Sequence, residues 1–209
     1  MAAELKLSYR AFFLAVAASY RGEGVLSGAI RGLARALEEG RGPKLEVLKR
    51  RALELSGAGY VVVVLDCLGL PELYWLYAKL RSLGFEVLAH AYVNPTGRTS
   101  GFLREFEELS MRGVARLLGG SKGASLDRAV HGELGEPASL EALADKAERL
   151  LKLTVEGWVD QLSHAREPFF VVSDHGYDFA RAGEKWYLVH GRGPNLLSKL
   201  APILAARRR

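Results

Sequence analysis

Between Gly59 and Gly69 the chain reads GYVVVVLDCLG, and Val61 to Leu65 is an unbroken run of apolar residues. β-Branched residues in succession favour a strand over a helix. A strand with one wet face alternates polar and apolar residues, and this one does not. It must therefore be covered on both faces, as in a parallel sheet flanked by helices. A second run of the same kind, Phe169 to Val172, lies more than a hundred residues on, in PFFVVSDHG. Two such strands in 209 residues define an α/β layered fold with one sizeable core.

The remainder fits that frame. Residues 1–57 read as an N-terminal helical segment packed on the core, punctuated by GEG and GRGP. In VLSGAIRGLARALEE the apolar side is Leu26, Ile30, Leu33 and Leu37, a helical period. Residues 58–209 form the α/β unit, in one compact body with that segment. PELYWLYAKLRSLG predicts a helix stopped by Gly84, and FEVLAHAYV a second strand. A helix is predicted over 100–118, then a glycine-rich loop, GGSKGAS, and a long helix over 139–165. KWYLVHG predicts a late strand and PNLLSKLAPILAA a final helix with a basic tail. The expected sheet is mostly parallel.

Composition excludes several classes. A single cysteine, Cys67, rules out a disulfide framework and a cysteine-rich zinc site, so any metal is expected on oxygen and nitrogen ligands. No apolar run approaches the roughly 18 residues that span a bilayer. AFFLAVAAS near the start is a minimal match to a signal peptide and a better match to an amphipathic helix, with Phe12, Phe13, Val16 and Tyr20 on one face. The expected location is cytoplasmic. Two asparagines and one glutamine are a thermophile's composition. A formal charge of +5 favours anionic partners, small phosphates or nucleic acid alike.

Ligand sites in open α/β sheets lie outside the carboxyl ends of strands. There the chain places Asp66, the pair Asp174 and His175, and His190. The second strand leads into NPTGRTSGF, with hydroxyls at Thr96, Thr99 and Ser100. Asp127 and His131 are four apart, on one face of a helical turn. Singly, each has a structural reading: turn former, helix cap, solvated pair or half-buried histidine. Together, three aspartates and three histidines suffice for two divalent ions that clamp a phosphoryl displacement. Gly176 is read as a sharp turn and Asp178 as a plain loop residue.

In this order the residues resemble the alkaline phosphatase superfamily and, within it, the small PglZ-type domains. The elements that carry the resemblance are VVVVLD, PTGRTSGF, DRAVHG, VVSDHG and VHG, spanning residues 58 to about 195. The resemblance implies one ion on Asp127, His131 and His190. It implies a second on Asp66, Asp174, His175 and the nucleophile oxygen, with Zn²⁺ or Mn²⁺ as the ions. The nucleophile is expected at Thr99, with Thr96 as the alternative because the loop carries one residue more than the usual pattern. Arg98 is a candidate for a substrate oxygen. The implied reaction is phosphate-ester hydrolysis through a phosphothreonine, with nucleotides or oligonucleotides as possible substrates. A formylglycine-type sulfatase motif is absent, and the chain is small for a phosphoglycerate mutase. Two other readings compete: a non-catalytic metal-binding regulatory or phage-defence-associated PglZ module, and a basic nucleic-acid-binding protein motivated by the charge and the ARRR terminus. No helix-turn-helix, zinc-finger or RNA-recognition signature supports the latter.

Overall fold

Strand β1 (Val61–Asp66) organises the molecule by sending alternate side chains into two cores. In this computed structural model, which describes residues 7–164, 167–190 and 196–209, Val63 and Leu65 enter one apolar cluster. Val62 and Val64 enter the other. Strand β4 (Phe169–Ser173) does the same, with Phe169 and Val171 on one side and Phe170 and Val172 on the other. The runs 62–65 and 169–172 are apolar because they are buried on both faces of the sheet.

The N-terminal helices divide across the sheet. Helices α1 (Tyr9–Ser19) and α2 (Ser27–Glu38) join the first cluster through Phe13, Val16, Ile30 and Leu37. Helix α3 (Leu45–Gly57) joins the second through Leu48, Ala52 and Leu55. Helix α4 (Leu70–Ser82) follows β1 on the first face, and Gly84 ends it at a φ of 87° as expected.

The five-stranded sheet has the order β2-β7-β4-β1-β3. Strand β2 spans Phe85–Val93, β3 Ser121–Ser125 and β7 Leu200–Arg208. β1 is parallel to β3 and β4, but β7 lies between β2 and β4 and is antiparallel to both. The sheet is therefore mixed rather than mostly parallel, although β2 still points the same way as β1.

Strand β7 replaces the expected final helix. A three-residue 3₁₀ turn, Leu197–Lys199, precedes it, and Pro194 and Asn195 of that expected helix lie outside the described residues. Leu200 to Ile203 are buried on both faces, and a continuous apolar run carries no period to separate strand from helix. Pro202, which has no N–H, lies just beyond the last β4 pair, Val172↔Ile203. The expected basic tail is part of this strand, where Arg207 pairs with Glu86 at 2.8 Å.

The glycine-rich segment expected as a loop is edge strand β3. A Cβ at Gly120 would come within 2.3 Å of the Val62 carbonyl oxygen, and one at Gly123 within 2.2 Å of the Trp158 ring. Glycine is required by close packing, which erased the strand signature. The helix expected over 100–118 is two, α5 (Thr99–Phe106) and α6 (Met111–Leu117). They are separated by Glu107 in the left-handed region and restarted by a Ser110 cap on Gly113 N–H. Helices α7 (Asp127–His131), α8 (Leu140–Ala147) and α9 (Leu153–Ser163) follow, the last two joined by a π turn, Glu148–Lys152. The late strand β6 (Lys185–Val189) stands apart from the sheet and pairs in a hairpin with β5 (Asp178–Ala182). No helix among the described residues is long and apolar enough to cross a membrane.

Candidate metal centre

Strand register places the first two carboxylates. Leu65 pairs with Ser173, so Asp66 and Asp174 leave neighbouring strands at the same level. On the other side Asp66 pairs with Ser125, whose hydroxyl donates to Asp66 Oδ2 at 3.0 Å. His175 follows Asp174, and both are fully buried. His175 Nε2 lies 3.3 Å from Asp174 Oδ2 and 4.0 Å from Asp66 Oδ1. The opposite nitrogen, Nδ1, is 2.9 Å from the Gly176 carbonyl. A proton on Nδ1 donated to that carbonyl leaves the Nε2 lone pair facing the carboxylates, the arrangement of a metal-ligating histidine. A Cβ at Gly176 would lie 3.0 Å from the Leu197 carbonyl oxygen, a tight contact that glycine avoids.

Helix α7 begins two residues after β3 and brings in the second set. Its connection to α8 is pinned to the β5–β6 hairpin, where Leu188 N–H donates to Leu134 O and Ala138 bridges Trp186. That docking lays His190, at the end of β6, over α7. His190 Nε2 is 2.6 Å from Asp127 Oδ1, without the alignment of a hydrogen bond. His131 Nε2 is 3.5 Å from the same oxygen. The His190 ring lies 4.4 Å from that of His131 and 4.5 Å from that of His175, so it joins the two sets. Asp127 and His190 are thus brought beside Asp66, Asp174 and His175 without β6 belonging to the main sheet, whereas His131, largely exposed, belongs to neither donor group and meets them through Asp127 and the His190 ring.

Of the three hydroxyls after β2, Thr99 reaches this centre. It is the first residue of α5, and its Oγ1 lies 3.3 Å from His175 Nε2. Thr96 instead closes a turn, donating to Asn94 Oδ1 at 2.8 Å and accepting from Arg98 N–H at 3.3 Å. Ser100 is exposed. Asn94, which the sequence did not single out, holds the loop in place. Fully buried, it donates to the carbonyls of Asp174 (2.8 Å) and Arg98 (2.9 Å). A polar amide directly after an apolar strand was the available signal.

Cys67 is a second omission. It is fully buried at a φ of 68°, a left-handed conformation costing a non-glycine residue about 1–2 kcal/mol. Its N–H donates to Asp174 Oδ1 at 3.2 Å. Its Sγ, with donor atoms of Asp127 and His190, forms a group lying within 4.8 Å of one another. The sequence expectation named only oxygen and nitrogen ligands; the Cys67 sulfur lies beside two of those residues. Asp66, Asp174 and His175 form the other group, to the same 4.8 Å limit.

The electrostatics fit a cation. Among the described residues, Asp66 Oδ1, Asp127 Oδ1, Asp174 Oδ2 and both His190 ring nitrogens are buried without an aligned hydrogen-bond partner. Such atoms are costly unless something binds them. Burial raises the Asp66 pKa, and the neighbouring Asp174 and Asp127 charges raise it further. The His190 contact, outweighing desolvation, lowers that of Asp127. Burial, then the Asp174 and Asp127 charges, push the Cys67 thiol well up. Lys122, 4.0 Å from Asp66 Oδ2, is a nearby positive charge. A cavity of about 380 Å³ opens beside the centre along α7, lined by Ser125, Arg128, Gly132 and Glu133. Ser125 is common to both.

Compared with known proteins, the chain matches no family model, no curated protein and no solved structure.

Proposed function

We propose that this chain is a two-metal-dependent phosphoric ester hydrolase with Thr99 as its nucleophile. The carrying observation is the Thr99 hydroxyl 3.3 Å from His175 Nε2, beside two adjoining donor groups whose buried ligand atoms have no aligned hydrogen-bond partner among the described residues. In this reading Asp66, Asp174 and His175 hold one ion, and Asp127 and His190 hold the other with His131 at its exposed edge. Divalent ions in such donors neutralise phosphoryl oxygens and favour the alkoxide of a bound hydroxyl. Zn²⁺ and Mn²⁺ suit the mixed oxygen and nitrogen donors.

The chain's own residues then divide the work. Thr99 Oγ attacks phosphorus, its proton passes to solvent, and the bond to the leaving oxygen breaks. Water cleaves the resulting phosphothreonine and restores the hydroxyl. Thr99 opens helix α5, so the positive end of that helix dipole lies beside the transferring group. Asn94 fixes the loop on the Asp174 carbonyl and thereby positions Thr99.

Metal analysis combined with monoester and diester assays in Zn²⁺, Mn²⁺ and Mg²⁺ tests the proposal. Two ions per chain and turnover are expected, with Asp66→Asn and His175→Ala losing activity on the order of a thousandfold. Folded protein that carries metal but turns over no phosphate ester would overturn it in favour of a non-catalytic metal-binding module.

A further inference from the structure

The two donor groups differ in one chemically decisive way: only one contains sulfur. We propose that the Cys67 thiolate is a ligand, forming with Asp127 and His190 a sulfur-bearing zinc position, distinct from the all-oxygen-and-nitrogen position beside Thr99. The inference rests on the metal-centre reading above and deepens it by assigning a different ion preference to each position.

Three observations carry it. Cys67 Sγ and the donor atoms of Asp127 and His190 lie within 4.8 Å of one another. Among the described residues, Asp127 Oδ1 and both ring nitrogens of His190 are buried without an aligned hydrogen bond, and Asp127 Oδ1 and His190 Nε2 face each other at 2.6 Å as two ligand atoms of one ion would. Among the described residues the sulfur has a weak alternative, a 3.7 Å contact to the Gly176 carbonyl. The backbone accounts for its placement. Cys67 sits in the left-handed region directly after Asp66. Unusual backbone of this kind concentrates at functional sites. The other non-glycine residue in that region among those described, Glu107, is the C-cap of α5 and needs no such reason.

Sulfur selects the ion. Thiolate favours zinc, whereas carboxylate and water suit manganese and magnesium. The buried thiol is also already ordered, while the His131 side chain is 61% exposed and must be immobilised to bind. On ligation the S–H bond breaks, the S–metal bond forms, and the proton passes to bulk solvent. The result is an asymmetric pair: a tightly held zinc on Cys67, Asp127 and His190, and a more exchangeable ion on Asp66, Asp174 and His175.

Cobalt titration of metal-stripped full-length protein tests this. Cobalt bound by thiolate gives an intense near-ultraviolet charge-transfer band besides its visible ligand-field bands. The wild type is expected to show both, and Cys67→Ser only the visible bands, with zinc affinity at that position reduced at least about tenfold and manganese affinity unchanged. Visible bands without the near-ultraviolet band in the wild type would remove sulfur ligation and leave the metal centre standing. No cobalt uptake at all would remove both. Should Cys67→Ser fail to fold, cadmium NMR of the wild type decides: one resonance displaced downfield by sulfur supports the assignment, and resonances all in the oxygen and nitrogen range overturn it.

Discussion

Asn94 decides which hydroxyl of PTGRTS stands at the metal donors. Its amide nitrogen bridges the Asp174 and Arg98 carbonyls while its oxygen takes the Thr96 hydroxyl, leaving Thr99 to face His175. Thr99→Val is therefore expected to lower kcat/KM on the order of a thousandfold at unchanged metal content, whereas Thr96→Val keeps activity within a few-fold and loses about 1 kcal/mol of stability. Parallel assays, metal analysis and denaturant melts separate the two. The sequence favours Thr99 but leaves Thr96 as an alternative, because the difference between them depends on a buried amide that bonds the residue after β4 and the residue before α5. Glu72 was equally hidden: it lies in the first turn of a helix, where acidic residues are ordinary. In the fold it is fully buried, hydrogen-bonded by the Tyr9 and Tyr177 hydroxyls, and desolvation raises its pKa to about 7. A carboxyl raised in the folded state stabilises below its unfolded pKa, and that contribution is lost as pH rises through the folded value. Between about pH 4.5 and 7 it withdraws roughly 3 kcal/mol. Denaturant midpoints across that window should show this fall in the wild type, and a flatter profile in Glu72→Gln.

Elements were legible where a single periodicity governed them and illegible where packing replaced pattern. β1, β4, α4 and the N-terminal helices follow from runs and spacings alone. β3 does not, since Gly120 and Gly123 occupy positions where any side chain would strike β1 or Trp158. β7 does not either, because burial on both faces removes its polar register. Asp178 shows the same limit. It is no plain loop residue: it opens β5, is 2% exposed, and accepts from Leu196, Leu197 and Ser198 N–H and from the Tyr20 hydroxyl. One carboxylate thus joins α1, the hairpin and the 3₁₀ turn that launches β7. Asp178→Ala leaves buried backbone donors unpaired and is expected to cost about 2–4 kcal/mol. Metal content per folded molecule should be unchanged, which distinguishes this role from that of Asp174, four residues earlier.

At the scale of the whole molecule, two apolar cores support a rim that brings three carboxylates together. β1 and β4 fix Asp66 and Asp174 at one level, and the β5–β6 hairpin brings His190 over α7. The sequence disclosed these donors because chemistry at strand ends interrupts an apolar pattern; it could not disclose Cys67, which reads as one more apolar residue until its φ is known. On the proposed metal reading, the rim makes stability conditional on cations. Burial and the Asp174 and Asp127 charges raise the Asp66 pKa, so at neutral pH without metal its ionised form opposes folding, and that cost is relieved only as pH falls. Metal reverses the sign. An ion present at a hundred times its Kd adds about 2.7 kcal/mol per site, or roughly 5 to 10 °C in Tm for a chain of this size. Asp66→Asn removes both the repulsion and a ligand, and its effect must therefore change sign with the ion. Melted in EDTA, the variant is expected to be more stable than the wild type; melted with saturating Zn²⁺, less stable. A ligand in a cation-dependent rim requires that crossing. A residue serving only to close the β1 turn through Ser125 would lower Tm equally in both conditions.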